Sequence, residues 1–237
     1  MSIAVAGVDG CPGGWAVARW SREQNGERAL TVSFAETLDG VVAELRAGRL
    51  AAVAVDMPIG LLADTRRASD ALGRGLLGPR RSSIFATPAR AALGSPDHPV
   101  LDHADASARN RAAVGVGLSI QAFHLLPKIG ELDELVEPSD QDRFVEAHPE
   151  LAFTRLAGAP LPHPKATAEG RALRRSLLDD HLGADVVAAA LETADVPVTD
   201  ALDALSLCTV AERVPTGAVE FLGDDVDPTG KHCRIAW

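Results

Sequence analysis

Two short apolar runs in this chain each end in a single aspartate: Ile3–Val8 leads into Asp9, and Leu50–Val55 leads into Asp56. Bounded apolar runs of this length read as buried strands. An ionised carboxylate is rarely left inside a core without a partner, so each acid is expected at the end of its strand, where side chains meet a crevice. If the two runs are neighbouring parallel strands, their ends lie about 4.8 Å apart. Both carboxylates then project from the carboxyl edge of the sheet, which is where open α/β sheets bind ligands. Two like charges this close oppose ionisation unless a cation lies between them. Oxygen donors suit a hard ion such as Mg²⁺, Mn²⁺ or Ca²⁺. The plainer alternative for Asp9 is a local hydrogen bond to the Gly-rich turn that follows it.

More chemistry-bearing residues lie downstream. In Arg143-Phe-Val-Glu-Ala-His-Pro-Glu150, a strand over 143–148 places Glu146 and His148 on one face. A carboxylate within an otherwise apolar strand marks either a site or an edge strand with Glu146 in solvent. Asp200 and Asp203 stand one turn apart at the start of an apolar helix and share a face. The helix dipole favours negative charge there, and capping accounts for Asp200 better than for Asp203, which precedes the apolar Ala204 and Leu205. Between residues 64 and 90, six arginines face two aspartates. Within that stretch Pro79–Pro88 reads as a loop whose Arg80, Arg81, Ser82 and Ser83 are donors suited to phosphate; a solvated basic face is the alternative.

These residues need a scaffold. The turn Cys11-Pro-Gly-Gly14 predicts a hairpin from the first run into Trp15–Trp20. Ala29–Phe34 alternates like a third strand, and Thr37 can cap a helix carrying Leu38, Val41, Val42 and Leu45. After the Asp56 strand, about eighty residues pass before the next strand-like run, too many for a structureless loop. We therefore expect one domain over 1–237 with a largely helical insertion at 60–140. Within it, Ala104–Val136 keeps a helical pattern with a break near Pro127, and His124 reads as an ordinary helix residue. Pro149 is placed to open a helix. A basic helix with Arg171, Arg174 and Arg175, another over 184–193, and one capped by Thr199 follow. The tail holds one or two short strands, Ala218–Leu222 and Cys233–Ala236.

Composition narrows the partners. The net charge is −10, so no global positive field attracts nucleic acid, and a polyanion would need a local basic patch or bound cations. Tyrosine is absent and aromatics make up 4% of residues, which leaves few stacking platforms for single strands. Trp15 and Phe85 are better explained by core packing. Three widely spaced cysteines fit a reducing, cytoplasmic setting better than a disulfide scaffold. No basic leader precedes the first apolar run, and no run reaches the roughly 18 residues that a membrane span needs.

Three strands, a helix, an acid-ending strand and a late helix opening with acids resemble the RNase H-like fold. The segments Gly7-Val-Asp-Gly-Cys-x-Gly-Gly-Trp15, Val55-Asp-Met-Pro-Ile-Gly-Leu61, Arg81-Ser-Ser-Ile-Phe85, Glu146-Ala-His-Pro-Glu150, Lys165-x-Thr-x-x-Gly170 and Asp200-Ala-Leu-Asp-Ala204 occur in that order. Together they resemble domain of unknown function 429, a family described as predicted RNase H-like nucleases, and Asp-x-x-Asp-Ala resembles the closing motif of the resolvases in that superfamily. The resemblance implies an α/β fold with a mixed five-stranded sheet flanked by helices. It also implies Mg²⁺ or Mn²⁺ held by Asp9, Asp56 and Asp203, with Glu146 and Asp200 as candidates for a fourth ligand. The implied reaction is metal-dependent hydrolysis of a phosphodiester, in nucleic acid or another such substrate. His148 or Glu150 would relay protons, and Lys165, Arg80, Arg81, Ser82 and Ser83 would hold phosphate. RNase H itself places a glutamate on its first helix. Here Glu44 is the candidate there and lies in none of these segments, which leaves one ion or two open.

Two rivals remain. A kinase of the actin/sugar-kinase superfamily shares the core, but a second phosphate hairpin and an adenosine motif are not found. A non-catalytic interaction module on the same fold predicts that Asp9→Asn changes neither activity nor the response to divalent ions.

Overall fold

The computed structural model describes residues 3–22 and 26–237. Its first three strands, β1 (Ile3–Cys11), β2 (Gly14–Arg22) and β3 (Arg28–Ala35), form an antiparallel meander. Cys11 pairs with Gly14, so Pro12 and Gly13 make the whole turn. Gly13 takes φ 79°, which proline before it and glycine at that position permit. The helix α1 (Asp39–Arg46) follows, with Leu38 and not Thr37 at its N-cap; Thr37 Oγ1 donates instead to Asp39. Strand β4 (Ala52–Val55) then pairs parallel to β1, with Val8 level with Val55.

Between β4 and the next sheet strand the chain is largely helical. It contains α2 (Ala68–Leu77), 3₁₀ turns at Gly78–Ser83 and Arg90–Ala92, and a small hairpin of β5 (Gly94–Ser95) and β6 (His98–Pro99). Two longer helices, α3 (His103–Val114) and α4 (Ile120–Leu135), follow. The helical break falls at Gly115, φ 77°, and not at Pro127, which rides within α4 on its exposed side. His124 is an exposed residue of the same helix.

The chain returns through a 3₁₀ turn at Pro138–Asp140 to β7 (Phe144–Ala147), then α5 (Pro149–Ala157), α6 (Ala168–Leu182), α7 (Ala184–Glu192) and α8 (Val198–Ala211). Pro149 opens α5 as expected. The last helix begins at Val198 with Pro197 at its N-cap, two residues ahead of the Thr199 cap that its sequence favours. Strands β8 (Phe221–Val226) and β9 (His232–Ala236) end the chain.

The sheet order is β3-β2-β1-β4-β7-β9-β8, with β1, β4, β7 and β9 parallel. Strands β3, β2, β1, β4 and β7 give the mixed α/β core that the sequence resemblance implies, but the five-stranded expectation is corrected to seven. The tail pairs as an antiparallel ribbon whose β9 lies on β7. That pairing makes β7 an inner strand and removes the edge-strand account of Glu146.

Side chains sort by strict alternation. On one face Val5, Cys11, Ala52, Ala54, Val145 and Ala147 pack under α5–α8; on the other Ala6, Val8, Val53, Val55 and Phe144 pack against α1 and α4. Helix α8 is buried along its length from Ala201 to Ala211, as expected of a helix apolar all round. It lies directly on β1 because Gly7 has no side chain: a Cβ there would stand 2.1 Å from the Ala204 carbonyl oxygen and 2.5 Å from the Cys208 nitrogen. On the opposite face Trp15 is fully buried, and its Nε1 donates to Glu131 of α4 at 3.0 Å. The Lys128 ammonium lies 4.6 Å from the ring centroid, so α4 is clamped across the hairpin. Both Trp15 and the half-buried Phe85 pack against apolar neighbours. No helix among the described residues is long and apolar enough to cross a membrane.

Candidate functional site

Alternation carries Asp9 and Asp56 onto the face that holds α8. The Asp56 amide continues the parallel ladder to the Val8 carbonyl at 2.9 Å, which fixes the two strand ends side by side. The close approach at Gly7 brings the first turns of α8 over these ends. Asp9, Asp56, Asp200 and Asp203 therefore line one cavity of about 340 Å³. Its other walls include Arg80, Ser82, Ser83, His148, Glu150 and Lys165. Acids separated by almost two hundred residues in the chain thus share one neighbourhood.

The electrostatics are unfavourable for so many anions. Burial pushes the Asp9 carboxyl well above the usual range, and the charges of Asp56 and Asp203 push it further. The carboxylates of Asp9 and Asp56 take no hydrogen bond from any described residue, although Asp9 is only 7% exposed. Asp203 is 2% exposed and burial pushes it up to about 6, against the pull of Lys165. Lys165 Nζ stands 2.6 Å from Asp203 Oδ2. Burial would favour the neutral amine, but Asp203, Asp9 and Asp56 together hold the ammonium charged. Asp200 is half-buried at the rim and accepts from Thr199 Oγ1 at 3.2 Å.

The phosphate-type donors are arranged unevenly. Arg80 Nε donates to the Leu161 carbonyl at 3.2 Å, whereas its Nη2 is buried without a partner. Ser82 and Ser83 are exposed at the mouth. Arg81 does not line the cavity; in the 3₁₀ turn Gly78–Ser83 its side chain faces solvent while Arg80 turns inward. His148 caps α5: its Nδ1 accepts from the Glu150 amide at 3.2 Å, so Nε2 carries the proton and donates to the Ser83 carbonyl at 3.2 Å. Both ring nitrogens are therefore engaged.

Glu146 does not line the cavity that Asp9, Asp56, Asp200 and Asp203 share. It pairs with Val55, one residue short of Asp56, and so projects to the opposite face of the sheet. There it is buried, accepting from Arg67 Nη2 at 2.6 Å and from the Ile59 amide at 2.8 Å. It lines a small cavity of about 20 Å³ with Asp70 and Thr87, whose wall also includes Asp56 and His148. The sequence reading placed Glu146 and His148 together but had no register by which to align β7 with β4. The pattern Arg171, Arg174, Arg175 reads as a basic helix and names no partner for any of the three. Arg174 is 1% exposed and paired with Glu150.

An ion is tested against these donors by their chemistry. Among the described residues, no three His, Cys, Asp or Glu side chains are grouped closely enough to hold an ion as they stand. The donor set is nevertheless all oxygen, and Asp9 and Asp56 lack any hydrogen-bond donor. A carboxylate oxygen of Glu150 is also buried without a partner. Such a set fits a hard divalent cation and not a soft one.

No curated protein matches the chain. A solved structure titled "Thermus thermophilus RuvC structure" aligns over 91% of this chain and 98% of its own, at 15% identity and a TM-score of 0.37, a loose likeness that carries no weight for the site. Residues 7–227 match the family described as protein of unknown function, DUF429, and the chain belongs to that family.

Proposed function

We propose that this protein is a divalent-cation-dependent phosphodiester hydrolase with nucleic acid as its substrate class. One observation carries the reading: Asp9, Asp56, Asp200 and Asp203, delivered by two strand ends and one helix, line a single cavity opposite Lys165 and Arg80. Asp9, Asp56 and Asp203, with Asp200 at the rim, would hold Mg²⁺ or Mn²⁺. When bound, such an ion polarises a phosphoryl oxygen and acidifies water.

The chain's own residues supply the rest. Arg80 offers an unused Nη2 to a phosphate oxygen, and the Ser82 and Ser83 hydroxyls border the same entrance. Lys165 is about half exposed and paired with Asp203, and its ammonium would be the chain's own cation for an incoming phosphate oxygen. His148 orders the Ser83 carbonyl and the start of α5, and so positions the loop rather than moving protons. Glu146 and Arg81 are left out of the working set. The negative net charge is overcome locally by these cations.

The Lys165–Asp203 pair favours a second reading, a non-catalytic module in which the lysine permanently balances the acids. Thermal shift with Mn²⁺, beside cleavage of labelled single-stranded, duplex, hybrid and four-way-junction oligonucleotides, separates the two. A wild-type response that Asp9→Asn loses, with cleavage of at least one oligonucleotide, is expected. At a hundredfold excess over Kd, linkage stabilises the protein by about 2.7 kcal/mol. A flat response in both proteins overturns the hydrolase reading.

A further inference from the structure

Glu150 has one carboxylate oxygen held and the other left over. Arg174 Nη2 donates to Oε1. The arginine cannot turn away, because its Nη1 donates to the carbonyls of Gly170 at 3.0 Å and His163 at 3.2 Å, and it is 1% exposed. The Glu150 backbone is fixed as well: its amide donates to His148 and its carbonyl accepts from Thr154 Oγ1 at 2.6 Å. The second oxygen, Oε2, is buried and has no donor, although the residue lines the carboxylate cavity and its charge reaches Asp203. A buried acceptor left unsatisfied is destabilising, so an oxygen held in this state by a rigid partner calls for a ligand.

We propose that Glu150 Oε2 is a further oxygen ligand for the divalent cation of this cavity, and that Arg174 is its positioning residue. The inference rests on the hydrolase reading and extends its donor set to β7's end of the sheet. The chemistry explains the arrangement. Another free carboxylate would add to the repulsion among Asp9, Asp56 and Asp203. A carboxylate paired on its far oxygen with a guanidinium contributes a ligand atom while adding little net charge.

The test is Mn²⁺ affinity by titration calorimetry on wild type, Glu150→Gln and Asp9→Asn, with metal-free melting recorded alongside. Glutamine keeps a carbonyl acceptor toward Arg174, so the fold is expected to persist while the Mn²⁺ Kd rises at least tenfold. Restoration of affinity is not expected from raising pH, since the amide does not ionise. An unchanged Kd in Glu150→Gln, with Asp9→Asn impaired, overturns the inference and leaves the hydrolase reading intact. No binding by wild type overturns both. Should Glu150→Gln fail to fold, Mg²⁺ titration of the unmutated chain carrying ¹³C-carboxyl Asp and Glu decides the question. The Glu150 signal is expected to shift together with that of Asp9, and a Glu150 signal that stays put while Asp9 moves overturns the inference.

Discussion

The Lys165 ammonium lies 2.6 Å from Asp203 Oδ2, in a cavity that also holds Asp9 and Asp56. A cation supplied by the chain thus occupies the neighbourhood where four carboxylates would receive one from solution. The two compete, because each gains from the same anionic field. Replacing Lys165 with methionine keeps much of the apolar stem and removes the competing charge. The Mn²⁺ Kd of Lys165→Met is expected to fall about tenfold, equivalent to about 1.4 kcal/mol, while oligonucleotide binding weakens. Calorimetry and a salt-controlled binding assay read the two effects separately. An unchanged Mn²⁺ Kd would show that the ammonium does not guard the acids.

Gly7 sets the distance between β1 and α8, and through it the approach of Asp203 to Asp9. A methyl group at this position would meet the Ala204 carbonyl oxygen at 2.1 Å, a contact that backbone cannot relieve without moving the helix. Overpacking of a tight core typically costs about 1–3 kcal/mol, and Gly7→Ala belongs at the upper end or beyond. Urea unfolding is expected to show that loss together with a weakened Mn²⁺ response. A variant as stable as wild type would mean that α8 is not pinned by the glycine.

Asp9 and Asp56 were legible in sequence because their signal is local: an apolar run of strand length, then a carboxylate. The hairpin turn was legible for the same reason. The face that Glu146 takes relative to Asp9 and Asp203 was not legible, because it depends on the register of β7 against β4, a pairing of residues about ninety apart that no local pattern encodes. The pairing of Arg174 was not legible, because its partner Glu150 belongs to another helix and a basic-helix pattern names no partner. The tail strands were visible as short segments. Their joining the sheet on β7, which buries Glu146, was not.

The opposite-face position of Glu146 separates it from the metal reading. Glu146→Gln is expected to retain the Mn²⁺ shift that Asp9→Asn loses. Its partner is the more sensitive position. Arg67 is 3% exposed and holds both Glu146 and, at 3.7 Å, Asp70. Arg67→Met leaves two buried acids without their cation, for an expected loss of about 3–5 kcal/mol by denaturant unfolding. The double variant Arg67→Met with Glu146→Gln should recover part of that loss. A double variant no better than Arg67→Met alone would argue that packing, and not charge, is what Arg67 contributes.

The tail ribbon is tied to the helical segment through Asp227, whose side chain is fully buried. Burial alone would raise its pKa. Hydrogen bonds from Thr229, from the amides of Leu61 and Lys231, and from Arg90 outweigh burial and hold it down to about 2. The unfolded chain takes up this proton near pH 3.9. A carboxyl with a depressed folded pKa contributes stability that is fully present above the unfolded value and is lost as pH falls through the folded one. Wild type is therefore expected to lose stability between about pH 4 and pH 2, with Asp227→Asn, already weakened at neutral pH, showing a shallower slope across that window. The same slope in both proteins, measured by urea unfolding at fixed ionic strength, would assign the acid sensitivity to other carboxylates. A neutral-pH stability of Asp227→Asn equal to wild type would remove Asp227 as the link between loop and tail.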